Sequence, residues 1–144
     1  MGKLEGEIVD REKVSTDLPE FGIEWSGWAY NSGGTVVANF ESGLCWLSET
    51  SGQKTVRYLL HANTETIQLF QKRIRRSKTL YCTQDQTCPG YDELLIANGS
   101  QVVRYSVHSG WFEKGGLLKA IRFIRSEIME KGTETRTIPS QKGH

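Results

Sequence analysis

The chain has 144 residues, 37% of them hydrophobic and 24% charged, and its formal net charge is +1. This size and composition favour one globular domain with a single core. No apolar run in the sequence approaches the roughly 20 residues of a membrane span, and three cysteines, an odd number, do not make a disulfide framework. The polar, acidic start MGKLEGEIVDREK is unlike a secretory signal, so we expect a reducing compartment.

We expect residues 1–14 to form a flexible acidic N-terminus and a short helix to follow. The stretch STDLPEFGIEWSGWAY starts with Ser, Thr and Asp at 15–17, which can cap a helix, and Pro19 suits a first helical turn. On such a helix Trp25 and Trp28, three residues apart, share one face. Two large rings on one face are either part of the core or a surface for a flat ligand.

Three strands are predicted next, in TVVANFES, GLCWLSE and TVRYLLHA, because these runs are rich in β-branched and aromatic residues. Cys45, in the second run, is expected to be a small core residue. In NTETIQLFQKRIRRSKTL the apolar residues recur at helical spacing behind a possible cap at Asn63 or Thr64. This pattern predicts a helix with basic residues around its polar side.

The C-terminal half combines a hairpin with a second long helix. In ELLIANGSQVVRYSVHSG, Asn98-Gly99 lies between two strand-like runs, which is the preferred chemistry of a tight hairpin turn. LLKAIRFIRSEIMEKG is amphipathic and predicts a helix closed by Gly132, and residues 133–144 are expected to be a flexible tail. The pattern favours an α+β domain over residues 15–132, an antiparallel sheet with helices on one face.

The charges are distributed unevenly along the chain. Residues 1–24 carry seven acids and three bases, whereas residues 52–78 carry seven bases and one acid. Such asymmetry indicates a polyanionic partner, although a solvated helix face explains it equally well. Within the basic region, QKRIRRSK is typical of a nucleic-acid patch of low specificity.

Catalytic chemistry has weaker support in the sequence. His61 and His108 are the best general-base candidates, but neither HANT nor HSGW has the hydroxyl position of a two-histidine phosphodiesterase motif. Phosphate-loop, nucleophile-elbow and HExxH motifs are also missing from the sequence. Cys82 and Cys88 are spaced too widely for the usual zinc pair. We therefore expect a protein that is not an enzyme and that uses no metal or cofactor.

Three segments resemble one known family. EWSGWAYNSGG is similar to the Trp-x-x-Trp segment, followed by Tyr-Asn, of the small tombusvirus suppressors of RNA silencing. QKTVRYLLHANTETIQLF resembles the strand-to-helix segment of that family, and VVRYSVHSG followed by LLKAIRFIRSE resembles its last strand, turn and C-terminal helix. The order and spacing agree over most of residues 23–130, and the length is nearest to that of the shorter aureusvirus suppressor.

The resemblance implies a viral suppressor of RNA silencing in the host cell cytoplasm, with no membrane partner. It implies a homodimer whose sheets join into one continuous concave floor, which sequesters double-stranded small interfering RNA without reading its sequence. Trp25 and Trp28 would cap a duplex end by stacking on the terminal base pair. Backbone-binding residues are implied by the resemblance at Lys54, Arg57, Arg104, Ser106, His108 and Ser109, and by charge alone at Arg75, Arg76 and Lys78.

The sequence departs from the family at Ala29, where the family has a basic residue after the second tryptophan. This departure favours a loose length preference, with longer RNA duplexes also bound. Two other functions stay open at this point. The chain would be a protein-interaction module if the tryptophans grip a protein partner, or a small nuclease if His61 and His108 act together. Burial of Trp25 and Trp28 in a helix–sheet contact is the structural alternative for the pair.

Overall fold

The structure is a computed structural model that describes residues 2–3, 6–14, 17–29, 32–77, 81–82, 91–108 and 117–139. Side chains are not described at 2–3, 28–29, 32, 76–77, 81–82, 91–92, 106–108, 117–118 and 136–139. The strands are β1 (Gly2–Lys3), β2 (Glu7–Val9), β3 (Phe21–Ala29), β4 (Ser32–Asn39), β5 (Leu44–Ser51), β6 (Lys54–His61), β7 (Tyr81–Cys82), β8 (Tyr91–Asn98), β9 (Gln101–His108) and β10 (Thr133–Pro139). The helices are α1 (Thr64–Ser77) and α2 (Leu117–Lys131), and Arg11–Lys13 form one 3₁₀ turn.

One antiparallel sheet organises the fold and confirms the predicted α+β class. Its eight strands lie in the order β10-β6-β5-β4-β3-β8-β9-β2, and β1 pairs separately with β7. The strands from β3 to β6 are sequential neighbours, and β8 adds to the other side of β3. The edges of the large sheet are therefore β10 and β2, which come from the two ends of the chain.

The main core joins alternating strand residues to both helices. Ile23, Val36, Leu47 and Leu94 are fully buried, and the registers place Leu94, Trp25, Val36 and Leu47 in one row across β8, β3, β4 and β5. The face of the sheet that carries these residues is called the core face below. The same cluster contains the apolar sides of α1 and α2, namely Ile67, Phe70, Ile74, Ala120, Ile121, Ile124 and Ile128.

Several local predictions are confirmed by the contacts that close each element. Asn63 caps α1, since its Oδ1 accepts the N–H of Thr66 at 2.8 Å. The β8–β9 hairpin turns through Gly99, whose φ of +68° is the left-handed conformation that glycine adopts readily. Gly132 follows α2 directly and its N–H donates to the carbonyl of Ile128 at 2.8 Å.

The helix predicted in the stretch STDLPEFGIEWSGWAY is wrong, because residues 21–29 form the central strand β3. Alternation of Phe21, Ile23 and Trp25 with smaller or polar residues suits a strand. The close approach of β4 requires glycine at position 22, because a Cβ there would lie 2.1 Å from the carbonyl oxygen of Ala38.

Both ends for which flexibility was predicted contain a strand of the large sheet. Residues 1–14 include β2, which pairs with β9, and residues 133–144 include β10, which pairs with β6. The tail lacks an apolar stripe, but its sequence TETRTIP alternates β-branched threonines, and these favour an edge strand. The β10 edge is therefore built from a segment with little hydrophobicity.

Candidate nucleic-acid interface

A row of polar residues crosses the sheet on the side opposite the core face. Neighbouring residues of a strand point to opposite faces, and the register pairs Ser26 with Thr35, Thr35 with Ser48, Ser48 with Arg57, and Arg57 with Thr135. Four hydroxyls and one guanidinium thus lie in a line over five strands, from β3 to β10. We call the face that carries this row the hydroxyl face.

Two features flank the hydroxyl row. On one side the hydroxyls of Thr50 and Thr55 lie 3.0 Å apart in a cross-strand hydrogen bond. On the other side lies Trp46, which is half-buried, with the guanidinium carbon of Arg57 at 5.6 Å from its ring centroid. At this distance the arginine makes a cation–π contact with the indole, so Arg57 covers an aromatic surface as well as carrying charge.

A pocket of about 270 Å³ opens beside Trp46. Leu59 on β6 is the cross-strand partner of Trp46 and is 38% exposed. Its side chain forms an apolar wall of the pocket beside the ring. The residues around the pocket come from β5, β6, β10 and the N-terminal segment, and they are Asp17, Trp46, Arg57, Tyr58, Leu59 and Thr135.

The N-terminal segment covers the β8–β9 side of the hydroxyl face. Leu18 is buried there in a second, smaller cluster with Leu95, Ala97 and Val102. Arg11 fixes this segment, since its guanidinium donates to the carbonyls of Leu18, Pro19, Glu20 and Gly99 at 3.0 to 3.3 Å. We call residues 10–14 and 17–20 the strap. The row residues Thr35, Ser48 and Arg57 do not belong to the cluster that Leu18 of the strap forms with β8 and β9.

The two tryptophans of the predicted capping pair lie three positions apart on strand β3, so they do not share the face of a helix. Trp25 packs against the core cluster, and its Nε1 is buried without a hydrogen-bond partner among the residues that the structure describes. Trp28 pairs through its backbone with Gly33 and Tyr91, and its side chain lies outside the description. The shared helix face is therefore wrong, and the capping role of either ring stays a prediction.

The predicted basic residues separate into two groups. Lys54 and Arg57 are exposed on β6, and Arg57 belongs to the hydroxyl row. Arg75 is exposed on α1, whose Phe70 and Ile74 belong to the core cluster. The side chain of Arg76 and the whole of Lys78 lie outside the described residues.

Arg104 on β9 already has acidic neighbours. Its guanidinium pairs with Glu7 at 2.7 Å and lies 3.9 Å from Glu93. Exposed ion pairs of this kind contribute less than about 1 kcal/mol, so a phosphate group could compete for the arginine. Ser106 and His108 are described only as backbone positions of β9, and Ser109 lies outside the described residues.

The two histidines considered for catalysis are far apart in the sheet. His61 ends β6 and His108 ends β9, and five strand spacings separate these strands. At about 4.8 Å for each spacing, the distance across the sheet is about 24 Å. The separation of the two backbone positions gives no support to the two-histidine nuclease, which stays a prediction.

Sequence reasoning missed Trp46 as a surface residue. Its neighbours Cys45 and Leu47 are both fully buried, so alternation along β5 places Trp46 on the other face. Burial raises the pKa of the Cys45 thiol from 9.0 to about 12, although a backbone hydrogen bond at Asn39 acts in the opposite direction. Cys45 is thus the core residue that the sequence predicted, and the useful signal was the large ring beside it.

Comparisons with family models, curated proteins and solved structures find no match to this chain. Neither helix in the described part of the chain is long and apolar enough to cross a membrane. Among the same residues there is no group of three or more His, Cys, Asp or Glu side chains placed to hold a metal ion. The hydroxyl face is therefore the feature of the described residues that bears most directly on function.

Proposed function

We propose that this protein binds double-stranded RNA on its hydroxyl face and reads the shape of the duplex, not its sequence. The observation that carries the proposal is the row formed by Ser26, Thr35, Ser48, Arg57 and Thr135. In the proposal α1 and α2 cover only the core face, as their shared cluster with Ile23 and Leu47 supports. The hydroxyl row, whose members are exposed or half-buried, then remains accessible to a large ligand.

The chemistry of the row suits an A-form helix. Such a helix has a wide, shallow minor groove that displays 2′-hydroxyls, whereas its deep major groove hides the base edges. Serine and threonine hydroxyls can donate to and accept from a 2′-hydroxyl, and they also contact phosphates. From Ser26 to Thr135 the row spans four strand spacings, or about 19 Å. A row of this length can follow the sugar–phosphate backbone without touching a base edge.

Cations and aromatic rings have separate roles in the proposal. Arg57, exposed on the hydroxyl face, would contact phosphates at the β6 side, and Arg104 with positions 106, 108 and 109 would contact the backbone at the β9 side. Lys54 is exposed three positions before Arg57, so alternation directs it to the other face, and its phosphate contact stays a prediction from the resemblance. Trp25 packs against the core cluster, so Trp28 is the residue proposed to stack on a duplex end. Arg75 has no assigned contact and stays a prediction from charge.

The resemblance to tombusvirus and aureusvirus suppressors extends the proposal to a biological role. We propose that the protein sequesters small interfering RNA, and longer duplexes less selectively, from the host silencing machinery. In a homodimer, the sheets of the two protomers could pair along their edge strands, and the hydroxyl faces would then form one binding surface of twice the width. Edge strands offer unpaired backbone groups for such a contact, and β10 and β2 are the edges of this sheet.

A fluorescence-anisotropy titration tests the proposal with labelled duplexes of graded length, in RNA and in DNA of matched sequence. We expect RNA to bind more tightly than DNA, unrelated RNA sequences to bind alike, and affinity to fall steeply with salt. Equal affinity for RNA and DNA would contradict the 2′-hydroxyl contacts. Absence of any RNA binding at low salt would contradict the function as a whole and favour a protein-interaction module.

Variants locate the binding face. Arg57→Gln should weaken duplex binding and lower the slope of log affinity against log salt by about 1, as expected for one lost phosphate contact. Lys119→Gln is the matched control, because Lys119 is an exposed base on α2. The double change Thr35→Ala and Ser48→Ala should lower RNA affinity and leave the salt slope unchanged. Equal effects of Arg57→Gln and Lys119→Gln would show that the hydroxyl face is not the binding face.

A further inference from the structure

At the β8–β9 side of the hydroxyl face, one guanidinium lies between two carboxylates. The Nη2 atom of Arg104 donates to Oε1 of Glu7 on β2 at 2.7 Å, and its Nε donates to the same oxygen at 3.3 Å. Glu93 on β8 lies 3.9 Å from Nη1 of the arginine. The register pairs Glu93 with Ser26, which is the first residue of the hydroxyl row. A phosphate that follows the row towards β9 therefore meets an arginine that already has acidic partners.

Arg104 belongs to the hydroxyl face, as the packing of its neighbours shows. Tyr105 is part of the main core cluster and Val103 packs against it, and successive residues of a strand point to opposite faces. The side chain of Arg104 is 37% exposed, so a ligand on the hydroxyl face can reach it. The guanidinium is therefore placed to contact a phosphate once Glu7 releases it.

We propose that Glu7 is an internal competitor of the RNA backbone, and that a bound duplex displaces the Glu7 carboxylate from Arg104. The inference rests on the proposed function and adds a residue that controls it. Carboxylate and phosphate oxygens both accept charge-assisted hydrogen bonds from a guanidinium, so one group can replace the other. Glu7 presents only one oxygen to both nitrogen atoms of Arg104, whereas a phosphate can accept two parallel bonds on separate oxygens.

The contact between Glu7 and Arg104 is weak enough to exchange. The side chain of Glu7 is 65% exposed, and water and salt screen an ion pair in this position. Strand β2 has three residues and lies at the edge of the sheet. Release of the carboxylate therefore leaves the core clusters intact.

The position of Glu7 makes the exchange selective for a ligand that is already held elsewhere on the face. Strand β2 places Glu7 directly opposite Arg104, so its tethered carboxylate has an effective concentration on the order of millimolar or more. A small anion from solution lacks this advantage. A duplex bound at Arg57 has it, because Arg57 and Arg104 lie on strands five spacings apart, or about 24 Å. Glu7 therefore favours ligands that extend across the whole face.

Substitution of Glu7 tests the competition. Fluorescence anisotropy of one labelled RNA duplex is measured at several salt concentrations for the unsubstituted chain, for Glu7→Gln and for the control Glu130→Gln. Both variants lose one negative charge, and Glu130 is exposed on α2. Glu7→Gln should bind about three- to fivefold more tightly, as expected when a weak ion pair no longer competes. Its slope of log affinity against log salt should be steeper by up to about 1.

The same change in an Arg104→Gln background decides whether the gain depends on the proposed contact. Residues of one ion pair do not act additively, so Glu7→Gln should leave RNA affinity unchanged when Arg104 is already replaced. A gain of equal size in both backgrounds would show that Glu7 acts through its charge alone, and this result would overturn the inference.

The NMR signal of the Arg104 Nε–H group follows the exchange directly. Without RNA, this signal should differ between the unsubstituted chain and Glu7→Gln, and at saturating RNA the two signals should coincide. A difference that persists at saturation would show that Glu7 stays on the arginine, against the inference. If the unsubstituted chain binds RNA and Glu7→Gln has no more effect than Glu130→Gln, the inference fails and the proposed function stands. If no variant binds RNA at low salt, both fail.

Discussion

Replacement of Trp25 by Ala should destabilise the fold and leave the RNA affinity of the folded protein unchanged. Trp25 pairs across the sheet with Val36 and Leu94, both fully buried, and its ring packs against the core cluster. Truncation of a fully buried tryptophan costs about 3–5 kcal/mol. Because Trp25 is only half-buried, we expect a loss of about 2–3 kcal/mol in the free energy of unfolding.

The measurement is urea unfolding followed by far-ultraviolet circular dichroism, because the substitution itself changes tryptophan fluorescence. The loss should appear as a lower midpoint with an unchanged slope, and as a decrease of about 10 °C in Tm. Trp25→Phe is the matched control. It keeps an aromatic ring and removes an indole N–H that lacks a partner among the described residues, so it should cost less than about 1.5 kcal/mol.

The neighbouring substitution Trp28→Ala separates the core role from the capping role. If Trp28 stacks on a duplex end, its removal should weaken RNA binding by about 1–3 kcal/mol. A core role for Trp25 would be refuted if Trp25→Ala lost less than about 0.5 kcal/mol of stability and also abolished RNA binding. Trp25 would then act on the ligand, and its placement on the core face would be wrong.

Three further predictions concern single contacts in the described residues. Asn63→Ala removes the cap of α1 and should lower the unfolding free energy by about 1 kcal/mol, measured by urea unfolding with Asn63→Ser as the control that keeps a cap. Gly43→Ala should cost more than about 1 kcal/mol, because Gly43 has a φ of +80° and a Cβ there would lie 2.5 Å from the Ala62 carbonyl oxygen; a neutral result would contradict this turn. Burial holds the pKa of Cys45 at about 12, so its thiol should resist alkylation at pH 8 until the protein unfolds. The unfolded thiol ionises near pH 9.0 but the folded thiol does not, so the folded state binds more protons and stability should fall as the pH rises from 9 towards 12, less steeply in Cys45→Ala.

Elements with their own start and stop chemistry could be predicted from the sequence. The helix after Asn63 has a side-chain cap, and the helix before Gly132 has both an apolar stripe and a glycine at its end. The β8–β9 hairpin was signalled by Asn98-Gly99. In each case a local interaction and the tertiary packing favour the same conformation, so the pattern was sufficient.

Elements whose conformation depends on distant strands could not be predicted in this way. Residues 15–19 offer helix-capping chemistry, yet residues 21–29 form β3 because this strand gains backbone partners on both sides, from β4 and β8. These partners are distant in sequence, and β10 likewise depends on β6. Local capping signals contain no information about such pairings, and tertiary context overrides them.

The unpredicted strand β3 also explains why the structure favours Trp46 over Trp25 as a tryptophan that contacts a ligand. Trp25 has the polar neighbours Glu24 and Ser26, whereas Trp46 has the apolar neighbours Cys45 and Leu47. Alternation therefore favours opposite faces for the two rings, but only once both segments are known to be strands. Cys45 and Leu47 are buried on the core face, which places Trp46 on the hydroxyl face, whereas Trp25 lies in the same row as Leu47. If RNA binds the hydroxyl face as proposed, replacement of Trp46 should change RNA binding with little loss of core packing, whereas replacement of Trp25 should reduce core packing and leave RNA binding unchanged.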